Sequence, residues 1–331
     1  MSGQSLKVVI TDLDHREAEE EKKVFDRIGA ELIWAKVKEE DEIIHLCKDA
    51  DGILNQYSLM TRRVLENLPK CKAIARFGVG VDSIDLRAAT DLGIIVANVP
   101  DYCVDEVALQ AVTMLLALIR KSILFDQKVK SGQWDFRHGA PIHRVRGKTM
   151  GLVGCGKIGS EVAKIVSALG MRVFAFDPYI QKAEGSVELV DLDTLLKEAD
   201  FLSVHCPLNE STRHLIGENA FRKMRKKPLI VNTSRGPIIE EKALVQALKE
   251  GLISGAGLDV MEKEPPDPGN PLLKMEQVIL SPHMSFYSEE SIKELKRRTA
   301  EGVADVLLGK WPQSVVNSEV RGKTRAKIAT S

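Results

Sequence analysis

Along the chain the hydrophobic pattern switches repeatedly between the two-residue period of a strand and the 3.6-residue period of a helix. KVVITDLD (7–14) is a short β-branched run, and EAEEEKKVFDRIG behind it has helical spacing and closes on Gly29. The alternation continues through ELIWAKV, a helix through His45, DGILNQY, a helix near Val64, AIARFGVG, a helix from Ile84 and GIIVANVP. Strands that alternate with helices predict a parallel sheet covered on both faces. The first hundred or so residues therefore read as a complete α/β domain, closed by the stiff Asn98-Val99-Pro100.

A second cycle follows a long helix, EVALQAVTMLLALIRK, that is apolar on nearly every face. Such a helix needs burial all round, within its own domain or against a partner. Its charged ends leave the middle suited to a partner, and we expect a homodimer through Val107 to Ile119. TMGLV, a glycine-rich turn, KIGSEVAKIVSALG and RVFAFD come next, and then FLSVHCP, LIVNTS, a helix through Leu248, SGAGLDV and VILSPH. This is a second α/β unit, so the fold class expected is two doubly wound parallel-sheet domains. In open parallel sheets ligands bind at the carboxyl ends of the strands, and the chemistry is to be sought there.

Composition narrows the classes of function. The 331 residues carry 47 basic and 47 acidic side chains, which leaves no net charge to attract nucleic acid or an anionic membrane. No apolar stretch approaches a membrane span, and the first residues lack a signal-peptide core, so a cytoplasmic protein acting on small molecules is expected. The five cysteines (Cys47, Cys71, Cys103, Cys155, Cys206) are scattered and form no C-x-x-C pair, which suggests neither a disulfide framework nor a zinc site. The C-terminal RGKTRAKIATS, basic and short, is expected to be mobile.

GLVGCGKIGS (151–160) is the most specific motif on the page. A G-x-G-x-x-G run alone is weak, but this one follows a strand, opens a helix, and precedes Asp177 at the end of the next strand. Gly154 permits the tight turn, Gly156 lets a pyrophosphate approach the helix start, and Gly159 lets helix and strand pack closely. Asp177 suits the adenosine ribose hydroxyls and would repel a 2′-phosphate, so NAD is expected rather than NADP.

NTSRGPIIEEKALVQALKEG, GAGLDVMEKEP and SPH resemble the three signature stretches of the D-isomer-specific 2-hydroxyacid dehydrogenases. RFGVGVDSIDL and ANVPDYCVDEVA extend the resemblance over most of the chain, which is most similar to phosphoglycerate-dehydrogenase-like and C-terminal-binding-protein-like members. The resemblance implies a flavodoxin-like substrate domain (1–100 and 287–331) and a Rossmann NAD domain (101–286) flanking a cleft. It implies cofactor contacts from Lys157 and Ile158 at the helix start, from Cys206, Pro207 and Thr212, and from Thr233 and Ser234. It also makes Asp259 the partner of the nicotinamide amide.

The candidate catalytic residues make chemical sense in their own right. Arg235 can clamp a substrate carboxylate and polarise the keto oxygen beside it. His283 can exchange the proton that must move whenever hydride moves. A carboxylate beside His283 would favour the imidazolium; Glu264 and Glu262 both lie in the right loop, and the family pattern picks Glu264. A metal held by Asp259, Glu264 and His283 would lack a second clustered histidine, and none is expected. By resemblance the amides of Val79 and Gly80 receive the substrate carboxylate, although an ordinary strand-to-helix turn would also favour glycine. Asn55 and Gln56 are expected to look into the same cleft, and Phe286 stands where the binding-protein members have tryptophan.

The resulting expectation is NAD-dependent hydride transfer between nicotinamide and a D-2-hydroxy acid or 2-keto acid. Phosphoglycerate-dehydrogenase-like members carry, by resemblance, an arginine at the end of the third strand, where this chain has neutral Asn55. Small acids of the glyoxylate or hydroxypyruvate type are therefore favoured over phosphohydroxypyruvate unless Arg62 or Arg63 compensates. Phosphoglycerate dehydrogenase is the alternative enzyme, and an NAD(H)-sensing scaffold with little turnover is the alternative of another class. The regulatory extension of some phosphoglycerate dehydrogenases is not expected.

Overall fold

The computed structural model describes residues 5–13 and 17–329. Asp14 of the first expected strand, and Thr330 and Ser331 of the expected mobile tail, lie outside the described residues. The chain divides into two compact units, Met1–Tyr102 with Ser288–Ser331, and Cys103–Tyr287.

In the first unit β1 (Lys7–Ile10), β2 (Glu31–Trp34), β3 (Gly52–Asn55), β4 (Ala73–Arg76) and β5 (Ile95–Ala97) are all parallel, in the order β2-β1-β3-β4-β5. Every residue of β3 and β5 is buried, which is why these strands read as unbroken apolar runs, whereas the edge strand β2 is half exposed. Between the strands run α1 (Glu19–Asp26), α2 (Glu40–Cys47), α3 (Arg62–Glu66) and α4 (Leu86–Asp91). Thr61 and Asp85 start the last two by accepting from the Val64 and Ala88 amides. Ile43, Ile53, Leu65, Ile74 and Ile94, all fully buried, form the core on one face of the sheet.

The second unit begins with α5 (Val104–Arg120) and α6 (Ser122–Lys130). Its sheet contains β6 (Thr149–Val153), β7 (Arg172–Phe176), β8 (Val187–Leu189), β9 (Phe201–Val204), β10 (Leu229–Asn232), β11 (Gly255–Leu258) and β12 (Val278–Leu280). They are parallel in the order β12-β11-β10-β9-β6-β7-β8. The helices between are α7 (Lys157–Ala168), α8 (Leu192–Glu198), α9 (Glu218–Lys223) and α10 (Glu241–Glu250). Strand order reverses between β6 and β9, and that crevice is where a doubly wound sheet accepts a ligand.

Much of the apolar surface of α5 is covered within its own unit. Ala108, Ala111, Val112, Met114, Leu115, Leu118 and Ile119 are buried there, against α7, β10 and β11. The small residues of GAGL make this possible: a Cβ on Gly257 would come within 3.2 Å of Met114 Cβ. β11 is pared down to let the helix sit on its own sheet, while Leu109 on the same helix stays 62% exposed. The pattern also missed α6, which buries no residue and so leaves no apolar stripe, and the three-residue edge strand β8.

The chain then returns to the first unit as α11 (Glu289–Leu307), started by a capping box between Ser288 and Ser291. α11 lies across β3, β4 and β5, where a Cβ on Gly52 would collide with Val303. The following segment is docked, contrary to the expected mobile tail. Asn317, 3% exposed, accepts from Val96 N–H and donates to Ile94 O at 2.8 and 2.9 Å, and Arg325 Nη1 donates to Leu68 O at 2.7 Å. Arg325, a basic residue of the tail expected to be mobile, is thus bonded to a carbonyl in the turn that follows α3.

Candidate active site

The glycine turn after β6 is shaped by contacts that no side chain could tolerate. Gly154 has φ +95°, and a Cβ there would come within 2.7 Å of Cys206 N; a Cβ on Gly159 would collide with Gly154 O. Gly156 faces open space and starts α7 with no side-chain cap, so the amides at Lys157 and Ile158 open the helix towards whatever binds there. Asp177, just past the end of β7, is held in place by accepting from Cys155 N–H at 2.9 Å and Tyr179 N–H at 3.0 Å. It stays only partly buried, with lone pairs to spare.

The neighbouring strand ends complete the crevice. Ser234 Oγ donates to Cys206 O at 2.5 Å and Thr212 Oγ1 to Pro207 O at 2.6 Å, so Ser234 and Thr212 shape the turn that carries Cys206 and Pro207. Burial pushes the Cys206 thiol up to about 11, keeping it neutral. Thr233 Oγ1 and both ring nitrogens of His205 are buried without a hydrogen-bond partner, and burial holds the His205 ring down at about 4. Orphaned buried polar atoms are rare in folded proteins. Together with the open cradle at Gly156, they are what a dinucleotide site should present.

At the carboxyl ends of β10, β11 and β12 the structure assembles the three candidate catalytic residues. His283 Nδ1 pairs with Glu264 Oε2 at 2.7 Å, and Glu264 Oε1 accepts from Met261 N–H at 3.0 Å. A carboxylate only accepts, so Nδ1 carries the proton and Nε2 is left for substrate. Burial raises the Glu264 carboxyl, but the hydrogen bond and charge of His283, the Met261 amide and the charge of Arg235 pull it further the other way. The net result lies below the ordinary carboxylate range, and Glu264 is ionised at neutral pH. Glu262, the rival, is engaged elsewhere, with His214 Nε2 at 2.8 Å and the Glu241 amide at 3.2 Å. Arg235 follows β10 half-buried and donates from Nη1 to Ser234 O at 2.8 Å. Gly236 beside it is obligatory, because a Cβ there would collide with the Met261 carbonyl in the loop that carries Glu264.

The turn that presents His283 has its own support. His283 sits at φ +52°, a left-handed conformation that costs a non-glycine residue energy and must be imposed by its surroundings. Its N–H donates to Asp259 O at 2.8 Å. The Asp259 carboxylate, 2% exposed, accepts from Ser281 Oγ, from Met284 N–H at 3.0 Å and from Ser285 N–H at 2.9 Å. Sequence reasoning gave Asp259 to the nicotinamide and missed this bracket around His283. Phe286 meets the His283 ring edge-on, with centroids 6.3 Å apart.

The first unit contributes differently. Val79, 38% exposed, and Gly80 follow β4 in a turn pinned by its carbonyls: Gly78 O accepts from Val99 N–H and Val79 O from Asn98 Nδ2. Among the described residues no hydrogen bond reaches the Val79 or Gly80 amides, so these are what the turn can offer a ligand. Asn55 and Gln56 do not look outward as expected. Asn55 is fully buried, its amide donating to Ser58 O at 2.7 Å and accepting from Ser83 Oγ at 3.0 Å, and Gln56 is 5% exposed. Their polar groups hold the turn together because burial beneath it leaves no water to satisfy them. Arg76, which ends β4 and donates from Nε to Gln56 O at 3.3 Å, is a strand-end cation that the sequence reading passed over.

Comparison with known proteins agrees with this geometry. A family model described as "D-isomer specific 2-hydroxyacid dehydrogenase, NAD binding domain" matches residues 112–285. The chain is 42% identical to a D-3-phosphoglycerate dehydrogenase of Methanocaldococcus jannaschii over 94% of its own length, yet spans only 59% of that relative. It is 40% identical to a glyoxylate reductase of Korarchaeum cryptofilum, covering 84% of this chain and 86% of that protein. The solved structure of a glyoxylate reductase from Paecilomyes thermophila superposes with a TM-score of 0.86 at 29% identity, over 94% of this chain and 98% of that one.

Proposed function

The chain belongs to the D-isomer-specific 2-hydroxyacid dehydrogenases, NAD-dependent oxidoreductases, and on that premise we propose that it interconverts a small unphosphorylated 2-keto acid and its D-2-hydroxy acid. Glyoxylate and hydroxypyruvate are the substrates it favours. The observation that carries the reading is the 2.7 Å pair between His283 Nδ1 and Glu264, which leaves Nε2 as a proton donor beside the Arg235 loop. Bound NADH supplies the hydride. The Arg235 guanidinium stabilises the charge that builds on the keto oxygen, His283 Nε2 delivers the proton to it, and ionised Glu264 stabilises the imidazolium before delivery. The Val79 and Gly80 amides take the substrate carboxylate, Phe286 walls the site beside His283, and Asp177 holds the ribose hydroxyls.

The preference for unphosphorylated acids rests on where the cations are. Asn55 is neutral and buried. Arg62 is ion-paired with Asp91 at 2.9 Å and Glu66, and Arg63 with Glu40 at 2.8 Å and Asp41. Arg76, the cation that ends β4, is likewise engaged, donating from Nε to Gln56 O at 3.3 Å. The test is steady-state NADH oxidation with glyoxylate, hydroxypyruvate and phosphohydroxypyruvate on one preparation. A higher kcat/KM with phosphohydroxypyruvate would favour the second reading, phosphoglycerate dehydrogenase, which the Methanocaldococcus relative supports. Tight NADH binding with no turnover of any keto acid would favour a cofactor-sensing scaffold.

The proposal extends to a homodimer in the cytoplasm. The five cysteines are all unpaired, as a reducing compartment would keep them. Large apolar groups left at the surface of the second unit include Leu109 on α5 (62% exposed), Trp134 (88% exposed) and Phe136 (81% exposed). Light scattering should give twice the chain mass, and Trp134→Ala with Phe136→Ser should reduce it to one.

A further inference from the structure

In the turn after β3, successive amides already enclose an anion that the protein itself supplies. Gln56 N–H donates to Asp12 Oδ1 at 3.1 Å, and Tyr57 N–H and Ser58 N–H donate to Asp12 Oδ2 at 2.6 and 3.1 Å. The Thr11 hydroxyl adds a fourth donor at 2.9 Å. Consecutive amides turned toward one point make a concavity suited to a phosphate or a carboxylate. Here Asp12, 6% exposed and just past the end of β1, fills that concavity from the neighbouring strand.

The position of the filled turn matters more than its stability. In the order β2-β1-β3-β4-β5 the turn after β3 lies beside the turn after β4, which carries Val79 and Gly80. The two are tied together by Phe77 N–H donating to Asn55 O at 2.8 Å and by Arg76 Nε donating to Gln56 O. A substrate whose carboxylate rests on the Val79 and Gly80 amides has the Asp12 turn as its next neighbour in this unit. A longer acid with a second anion would find those three amides taken and a fixed negative charge in their midst.

We infer that Asp12 is a specificity-determining residue: its carboxylate occupies the amide cluster of residues 56–58 and so selects keto acids with one anionic group over those that also bear a phosphate. This deepens the proposed function and rests on it. Two physical effects act in the same direction. The donors a phosphate would use are spent on charge-assisted hydrogen bonds, which are short and hard to displace. Like charges at close range also repel, and beside a carboxylate only 6% exposed solvent screens that repulsion poorly.

The test uses Asp12→Ser, which frees the three amides and removes the charge, and Asp12→Asn, which removes the charge but keeps the shape. For each, kcat/KM is measured with glyoxylate and with phosphohydroxypyruvate, and the binding of inorganic phosphate to NADH-loaded protein is followed by calorimetry. The ratio of phosphohydroxypyruvate to glyoxylate efficiency should rise at least about tenfold in Asp12→Ser and by less in Asp12→Asn. Inorganic phosphate, without effect on the wild type, should become a competitive inhibitor. If both efficiencies fall together and phosphate still does not bind, Asp12 is only a bracket for the turn and the inference is overturned. Absence of keto-acid turnover in the wild type would sink the proposed reaction instead, and the phosphate calorimetry would still decide the role of Asp12. Should both variants fail to fold, hydrogen exchange in the wild type decides: amides 56–58 should be protected and unmoved by saturating phosphate, and a phosphate-induced change there overturns the inference.

Discussion

Asp12 in the first unit and Asp259 in the second do the same structural job with different consequences. Each lies just past the end of a strand and binds, through its buried carboxylate, the turn that follows the neighbouring strand: β1 to β3 in one case, β11 to β12 in the other. The turn held by Asp259 carries His283 at φ +52° beside Glu264, so on the proposed reaction the proton donor is placed by a buried carboxylate. The turn held by Asp12 carries buried Asn55 and Gln56 and offers no such side chain. On the proposed reaction, one device thus serves acid–base chemistry in the second unit and shapes a backbone turn in the first.

The comparison is broken most easily by removing the side chain on which it turns. His283→Ala should retain NADH binding and lose keto-acid reduction by a factor on the order of 10² to 10⁴, the usual value of a positioned acid. Val79→Ala, in the backbone-directed turn, should cost less than about tenfold, because its amide survives the substitution. Equal losses in the two variants, read from kcat/KM, would show that the first unit also works through side chains.

A second expected effect tests the bracket. Asp259→Ala leaves the hydroxyl of Ser281 and the amides of Met284 and Ser285 without their acceptor in a site 2% exposed. At roughly 1–3 kcal/mol for each buried donor left unsatisfied, a stability loss of about 3 kcal/mol or more is expected from denaturant unfolding. Reduction should fall with it, since nothing then holds His283 in its left-handed conformation. A variant that keeps full stability would mean that the turn stands without Asp259.

These brackets mark the limit of what could be read in the sequence. Both parallel sheets were legible, because strands buried on two faces leave unbroken apolar runs such as GILN and LIVN. Arg235, Glu264 and His283 were legible as candidates because each lies at or beyond a strand end in a recognisable stretch, and the structure pairs Glu264 with His283 while Glu262 is taken by His214 and the Glu241 amide. The jobs of Asp12 and Asp259 were not, since an aspartate that accepts three or four donors looks in sequence like any other polar residue at a strand end. The sheet-facing side of α5 was not legible for a similar reason: nothing in the helix itself says that β11 has been reduced to small residues to receive it.

Asp177 sharpens the comparison as a third strand-end carboxylate that is not fully spent. It accepts two amides and stays half-exposed, so it can still receive the ribose hydroxyls. NADH should bind at least about tenfold more tightly than NADPH, since a phosphate dianion beside this carboxylate costs more than about 1.4 kcal/mol. Equal affinities in a fluorescence titration would place Asp177 with Asp12 and Asp259, as a bracket only.

The smallest effect expected is on the pH profile, and it isolates the one carboxylate in this group that bonds a reactive side chain. The Glu264 carboxyl lies below the ordinary carboxylate range in the folded protein, so its contribution to the pair is present above the unfolded value and is lost only as pH falls through the lower, folded one. Across an assay from about pH 5 to pH 9 Glu264 therefore stays ionised, and the alkaline limb of keto-acid reduction is where its charge acts on the proposed proton donor. In Glu264→Gln the negative partner is gone while the shape is kept. The alkaline limb should move to lower pH by at least about half a unit, a modest shift because both side chains are more than a quarter exposed and water screens the pair. A neutral bracket such as Asn317→Ala should lower stability and leave the limb where it was. A limb that moves upward in Glu264→Gln, or that moves equally in both variants, would mean that the Glu264 charge does not act on His283 and that its role is the same as that of the two buried aspartates.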